Sequence, residues 1–235
     1  MESDDPASSA NTVALVPAAG RGELLGDKGP EALVPVNGVP LVVHAVRGLL
    51  QAGCVRRVVV AAPPSATEHT RSVLSEASLD ALVVPGGADR TESVCLALEA
   101  ALGESPELEI VLVHDVVRAL TPPALVRGVV DAVAAGAPAV VPVLPVADTV
   151  KRVDAHGVVT ATVDRANLLT VQTPQGFRAD VLRRCYASSA GPGTAVERAE
   201  RLGLAVTTVP GHPRAMKITT PFDLTVAEAL FGTPS

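Results

Sequence analysis

The chain has no tryptophan, one tyrosine and three phenylalanines in 235 residues. A surface that binds single-stranded nucleic acid by base stacking needs several exposed rings, so that class is disfavoured. The core must instead be built from Val, Leu, Ile and Ala. Positive charge is also scarce, with 19 Lys and Arg against 25 Asp and Glu and a net charge of -6. A broad basic face for duplex DNA or an anionic membrane is therefore not expected. Cysteine numbers three, Cys54, Cys95 and Cys185, without CxxC or Cys/His ligand spacing. That usage suits a reduced, cytoplasmic protein. The longest uncharged apolar stretch, residues 132–147, is interrupted by Pro138, Pro142 and Pro145 and does not read as a membrane span. Residues 1–10 lack the basic and apolar regions of a signal peptide and read as a disordered tail.

What is present is alternation. Short β-branched runs at 13–16, 57–62, 81–84, 109–113 and 139–143 are separated by helical patterns at 40–52, 66–76, 90–102 and 122–135. This order predicts an α/β fold with a mostly parallel sheet. The alternation breaks at 148–164, where two strand-like segments flank Asp154-Ala155-His156-Gly157 and predict a protruding β-hairpin. Further strands are expected at 168–172, 204–209 and 216–219, and further helices at 179–187 and 221–230. No repeat or low-complexity linker divides the chain. The expected organisation is one domain over 11–232 with a β-arm at about 145–166.

Five blocks carry candidate chemistry, all near predicted strand ends or the arm. Val16-Pro17-Ala18-Ala19-Gly20-Arg21-Gly22 follows the first strand, and its small residues let backbone N–H groups approach phosphate oxygens. It fits neither the dinucleotide fingerprint nor the P-loop, because Leu25 stands at the third glycine and no Gly-Lys-Ser/Thr follows. Gly86-Gly87-Ala88-Asp89-Arg90-Thr91-Glu92-Ser93 runs into a helix N-terminus, which reads either as a nucleotide contact or as a capped turn. His114-Asp115-Val116-Val117-Arg118 ends a central strand, where α/β sheets bind ligands. There Asp115 has the chemistry for Mg²⁺ and Arg118 for a phosphate, although an Asp in that place also serves as a helix cap. The last blocks are Thr162-Val163-Asp164-Arg165 with Gln172-Thr173-Pro174-Gln175-Gly176-Phe177, and Met216-Lys217-Ile218-Thr219.

Together the five blocks resemble the 2-C-methyl-D-erythritol 4-phosphate cytidylyltransferases, in order and spacing, from about residue 13 to residue 229. The resemblance implies a Rossmann-like nucleotidyltransferase sheet with a dimerising arm, and an enzyme that joins CTP to a sugar-alcohol phosphate. It implies that Pro17, Ala18, Ala19, Gly20 and Gly22, with Gly86, Gly87, Arg90 and Ser93, hold CTP. It assigns Asp115 to Mg²⁺ or the substrate diol, and Arg118, Thr149, Arg165, Thr173 and Lys217 to the methylerythritol phosphate. The partners it implies are these small molecules and a second copy of the chain, with no nucleic acid and no membrane.

Departures from the family pattern fall on the chemistry. The family loop reads Pro-Ala-Ala-Gly-x-Gly-x-Arg and then Pro-Lys, but here Leu24 stands at the Arg and Glu31 at the Lys. Residues 191–197 lack the family's Asp, and Val116-Val117 replaces Ala-Ala. Losing one stabilising donor commonly costs ~10²–10³ in rate. Three readings follow: Arg21 and Lys28 serve as substitute catalytic cations, the chain is a silent paralogue that binds nucleotide or a protein, or it transfers a nucleotide to another alditol phosphate.

Overall fold

The structure is a computed structural model, and it describes residues 11–19, 29–187 and 193–232. The first strand, β1 (Thr12–Pro17), lies at the centre of an eight-stranded sheet. A two-strand ribbon, β2 (Pro35–Val36) and β3 (Val39–Pro40), then leads into α1 (Leu41–Gln51). The alternating part continues with β4 (Arg57–Ala62), α2 (Thr67–Glu76), β5 (Leu82–Pro85), α3 (Arg90–Glu104), β6 (Ile110–Val113), α4 (Pro123–Ala134) and β7 (Ala139–Pro145). β1 pairs in parallel with β4 on one side and β6 on the other, and β4 pairs in parallel with β5.

Strands in the middle of such a sheet bury both faces, which is why they read as unbroken apolar runs. Side-chain alternation sends Ala14 and Val16 of β1 into one core layer and Val13 and Leu15 into the other. The first layer is closed by α1, α2 and α4, and the second by α3 with α5 (Ala179–Ala187) and α6 (Ala195–Arg201). The fold is thus α/β with the sheet between helical layers, as the alternation predicts.

The second half departs from strict parallelism. β8 (Val150–Val153) and β9 (Val159–Val163) form their own antiparallel ribbon, outside the main sheet, with a register shift at Arg152/Val153. At the ribbon's tip, Gly157 has φ +78° and Asp154 Oδ1 accepts the N–H groups of His156 and Val158, both at 2.9 Å. β10 (Leu169–Val171) and β11 (Gln175–Arg178) then run antiparallel to β7, and β11 also pairs with β6. β12 (Val206–Pro210) adds a parallel edge to β7, and α7 (Pro221–Gly232) ends the described chain.

One sequence expectation is corrected here. Residues 216–219 do not form a strand: Ile218 donates one bond to Val117 O at 2.9 Å, and the segment lies over the strand ends outside the ladder. β11 and α6 were not expected at all. The placement of residues 1–10 and of the loop 20–28 lies outside the described residues.

Candidate active site

The parallel strands β1, β4 and β6 all end at the same edge of the sheet, where open α/β sheets bind ligands. β1 keeps its pairing past its end, with Ala18 N–H on Ala61 O at 2.8 Å, so Ala18 is buried and Ala19 faces the edge. Beside it, Gly86 N–H bonds Ala62 O at 2.6 Å. Glycine is required there by space: a Cβ on Gly86 would lie 3.0 Å from Ser93 Oγ and 3.1 Å from Ala19 Cβ, and one on Gly87 would collide with the Glu92 side chain. The turn is held by its own polar groups. Ser93 is fully buried, donates to Asp89 O at 2.8 Å and accepts the Gly87 N–H at 3.1 Å. Asp89 caps α3 by accepting Glu92 N–H at 2.8 Å, and Glu92 in return accepts Ala88 N–H at 2.7 Å. Ser93 therefore braces the turn, with its O–H and one lone pair engaged inside it.

A cleft of about 360 Å³ opens in front of this turn, lined by Pro17, Ala19, Glu31, Arg90, Asp115 and Lys217 among others. Asp115 is its centre. One carboxylate oxygen accepts from Arg90 at 2.8 Å, the other faces Lys217 Nζ at 3.2 Å, and the side chain is only 13% exposed. Burial pushes the carboxyl pKa up, but Arg90 and Lys217 outweigh it and bring it down to about 2. From an unfolded value near 3.8, the sign is clear: these pairs contribute fully above that pH and fail only as pH falls towards 2.

The backbone of Asp115 is also fixed. Its N–H donates to Thr173 Oγ1 at 3.0 Å, and the same hydroxyl bonds His114 Nδ1 at 3.1 Å. His114 is fully buried, and burial pushes its pKa down to about 4, so it is neutral at ordinary pH and holds Thr173 without adding charge. His114 stands in the third block, but nothing in the sequence gives it a role beyond that of a core histidine.

Lys217 reaches the cleft because Arg118 anchors the chain before it. Arg118 is buried, and its guanidinium donates to the carbonyls of Ala215 and of Val171, the latter at 3.2 Å. Within the chain its two terminal guanidinium nitrogens face backbone carbonyls, its Nε is buried without a partner among the described residues, and the residue is absent from the cleft wall. Gln172 supports the same segment, bonding His212 O at 3.0 Å and accepting His212 N–H at 2.9 Å.

Glu31 stands in the opposite wall, on the one-turn 3-10 helix Glu31–Leu33. Burial raises its carboxyl pKa, Lys217 opposes that, and Asp115 adds to it. A negative charge is thus placed in the cleft where the family pattern has a positive one. Thr149 and Arg165 lie on the arm side, exposed, with Arg165 bonded to Ala147 O and Val146 O, so within one chain they do not meet Asp115. Gly20, Arg21, Gly22, Leu24 and Lys28 fall outside the described residues.

Among the described residues no three His, Cys, Asp or Glu side chains form a metal-ligand set. Asp115 alone suits an ion that arrives with its own oxygen ligands. Mg²⁺ commonly binds in that way, through one or two carboxylates, phosphates and water. Also among the described residues, no helix is long and apolar enough to cross a membrane.

Comparison with known proteins agrees over nearly the full length. The family described as 2-C-methyl-D-erythritol 4-phosphate cytidylyltransferase matches residues 12–233. A protein of that name from Saccharopolyspora erythraea is 57% identical over 223 residues, covering 94% of this chain and 100% of the relative. Another from Nocardia farcinica is 52% identical, covering 97% and 96%. The crystal structure of the Thermus thermophilus protein of the same name superposes with a TM-score of 0.77 at 35% identity, covering 94% of this chain and 98% of that one.

Proposed function

Because this chain belongs to the 2-C-methyl-D-erythritol 4-phosphate cytidylyltransferase family, we propose that the cleft around Asp115 is where it transfers its nucleotide. It is a CTP-dependent cytidylyltransferase of isoprenoid precursor synthesis, moving CMP from CTP to 2-C-methyl-D-erythritol 4-phosphate. An oxygen of the substrate's phosphate forms a bond to the α-phosphorus of CTP. The bond from that phosphorus to the β-phosphate bridging oxygen breaks, and pyrophosphate leaves with the electron pair. The nucleophile is already an anion, so the protein's contribution is charge stabilisation and alignment.

The observation that carries this reading is the pair of cations, Arg90 and Lys217, held on Asp115 in front of a glycine turn at the strand ends. The backbone of Pro17–Ala19 and of Gly86-Gly87 receives CTP, and Arg90 and Lys217 balance its phosphates. Mg²⁺, held by Asp115 together with the triphosphate, would supply further charge neutralisation. Thr173 and His114 fix the Asp115 backbone, and Arg118 fixes the approach of Lys217. In the presence of Mg²⁺, CTP should raise the melting temperature, and CTP with methylerythritol phosphate should release pyrophosphate. No thermal shift and no release from the folded protein would remove the reading.

The arm supplies what one chain lacks. We read residues 11–232 as one domain whose arm crosses to a second copy, placing Thr149 and Arg165 beside the partner's cleft. Val153, Val158 and Val159 on the ribbon are 53%, 59% and 56% exposed, an apolar surface without a cover in the monomer. Light scattering should therefore give twice the 23.9 kDa chain mass. Val153→Lys with Val159→Lys should give the monomer mass and lose most activity. A wild-type monomer of full activity would exclude the exchanged arm. The three cysteines form no disulfide, which fits a reducing cytoplasm.

A further inference from the structure

A second cavity, also of about 360 Å³, opens beside α1. Among the described residues its lining includes His44, Arg47 and Arg214, and no carboxylate. In a chain with 25 acidic and 19 basic residues, such a local excess runs against composition. Among the described residues, neither arginine takes part in an ion pair. Arg214 Nε is buried and has no hydrogen-bond partner. Leaving a buried donor unpaired is costly, so a ligand able to accept from it is favoured there. One wall is closed by His44 and Phe231, whose rings stack at 3.9 Å. Burial pushes the His44 pKa down, its hydrogen bond to the Val36 carbonyl opposes that, and the neighbouring Arg47 adds to the lowering.

We propose that this cavity binds a small dianion of the phosphate class, either free phosphate or the phosphoryl group of a small metabolite. Arg47 and Arg214 form the fork. Guanidinium groups suit such a ligand because they are planar, always charged and present paired donors to two oxygens. The site is separate from the cleft but built on the same two segments. The loop after β6 gives Val116 and Val117 to the cleft and residues 119–123 to the cavity. The stretch 213–217 gives Arg214 to the cavity and Lys217 to the cleft. An anion on Arg214 therefore fixes the chain three residues before Lys217.

The test is calorimetric titration of the full chain carrying Lys217→Ala, which weakens anion binding in the cleft, with ionic strength held by chloride. Inorganic phosphate should bind saturably at one site. Arg47→Gln and Arg214→Gln, each added separately, should weaken it at least tenfold while leaving the phosphate-free melting temperature in place. Glycerol 3-phosphate is the second arm: tighter binding than inorganic phosphate assigns the site to esterified phosphoryl groups, and equal or weaker binding to free phosphate. Unchanged phosphate affinity in both arginine variants overturns the proposal. So does the lack of saturation up to about 10 mM, the range of an adventitious contact. If Arg214→Gln fails to fold, Arg47→Gln on the half-buried side of α1 carries the test. The readout is binding in a protein with a disabled cleft, so its failure is distinct from failure of the transferase reading.

Discussion

Lys217→Ala should lower turnover by ~10²–10³, the usual loss when one donor aimed at transition-state charge is removed. The residue holds Asp115 at 3.2 Å, and its side chain is 51% exposed on the open side of the cleft. The ammonium is half exposed and Arg90 still pairs Asp115 when it is removed, so the melting temperature should fall only slightly compared with the loss in turnover. The effect on chemistry is larger because charge builds on the transferring phosphorus while the ammonium is already in place. Removing it also leaves Asp115 with Arg90 alone, so the cleft becomes more negative as the triphosphate enters. Steady-state pyrophosphate release should show the loss chiefly in kcat, with a smaller rise in the KM for CTP. Turnover within threefold of the parent would show that Lys217 is no part of the transfer machinery.

Glu31→Lys should do the reverse and raise kcat/KM for CTP by about a hundredfold. Two unit charges ~8 Å apart at an effective dielectric of about 20 interact by roughly 2 kcal/mol, which is about thirtyfold. Glu31→Gln removes the repulsion and should gain about tenfold, after screening in the open cleft. The lysine also adds attraction, and Leu24→Arg combined with it should add more. The pH dependence gives an independent check. Burial raises the Glu31 carboxyl pKa, so it loses its charge at a higher pH than an ordinary carboxylate, whereas Asp115, at about 2, stays ionised. Acidification should therefore narrow the gap between the parent and Glu31→Gln from the parent side. A Glu31→Lys variant no faster than the parent would mean that this carboxylate is used and not merely tolerated.

Much of the molecule is legible from local pattern. The runs at 57–62 and 109–113 became β4 and β6, buried on both faces, because interior strands of a sheet with helices on both sides accommodate successive apolar residues. The hairpin at Asp154–Gly157 was legible from its turn chemistry. β11 was not, since Gln175-Gly176-Phe177-Arg178 has little strand character of its own. It is a strand because β6 and β7 offer open edges on both sides and because Gly176 lets Val129 and Val133 pack against its backbone. The helix α6 did carry a sequence signal, the Thr194/Glu197 capping box, which was passed over among glycines and prolines.

For the site, the sequence by itself determined that the turn after β1, the Arg90 block, Asp115 and Lys217 share one edge, because residues that follow parallel apolar strands fall on one edge of the sheet. It also determined that a negative charge enters the cleft at Glu31. Only the tertiary structure decided where side chains point. Arg118 turns inward because Ala215, 97 residues away, and Val171 present carbonyls to it. Ser93 turns inward because Gly87 and Asp89 take up its hydroxyl. Strand and helix periods are short-range, set by sterics within a few residues, whereas the direction of a polar side chain is set by whichever distant group would otherwise be buried without a partner.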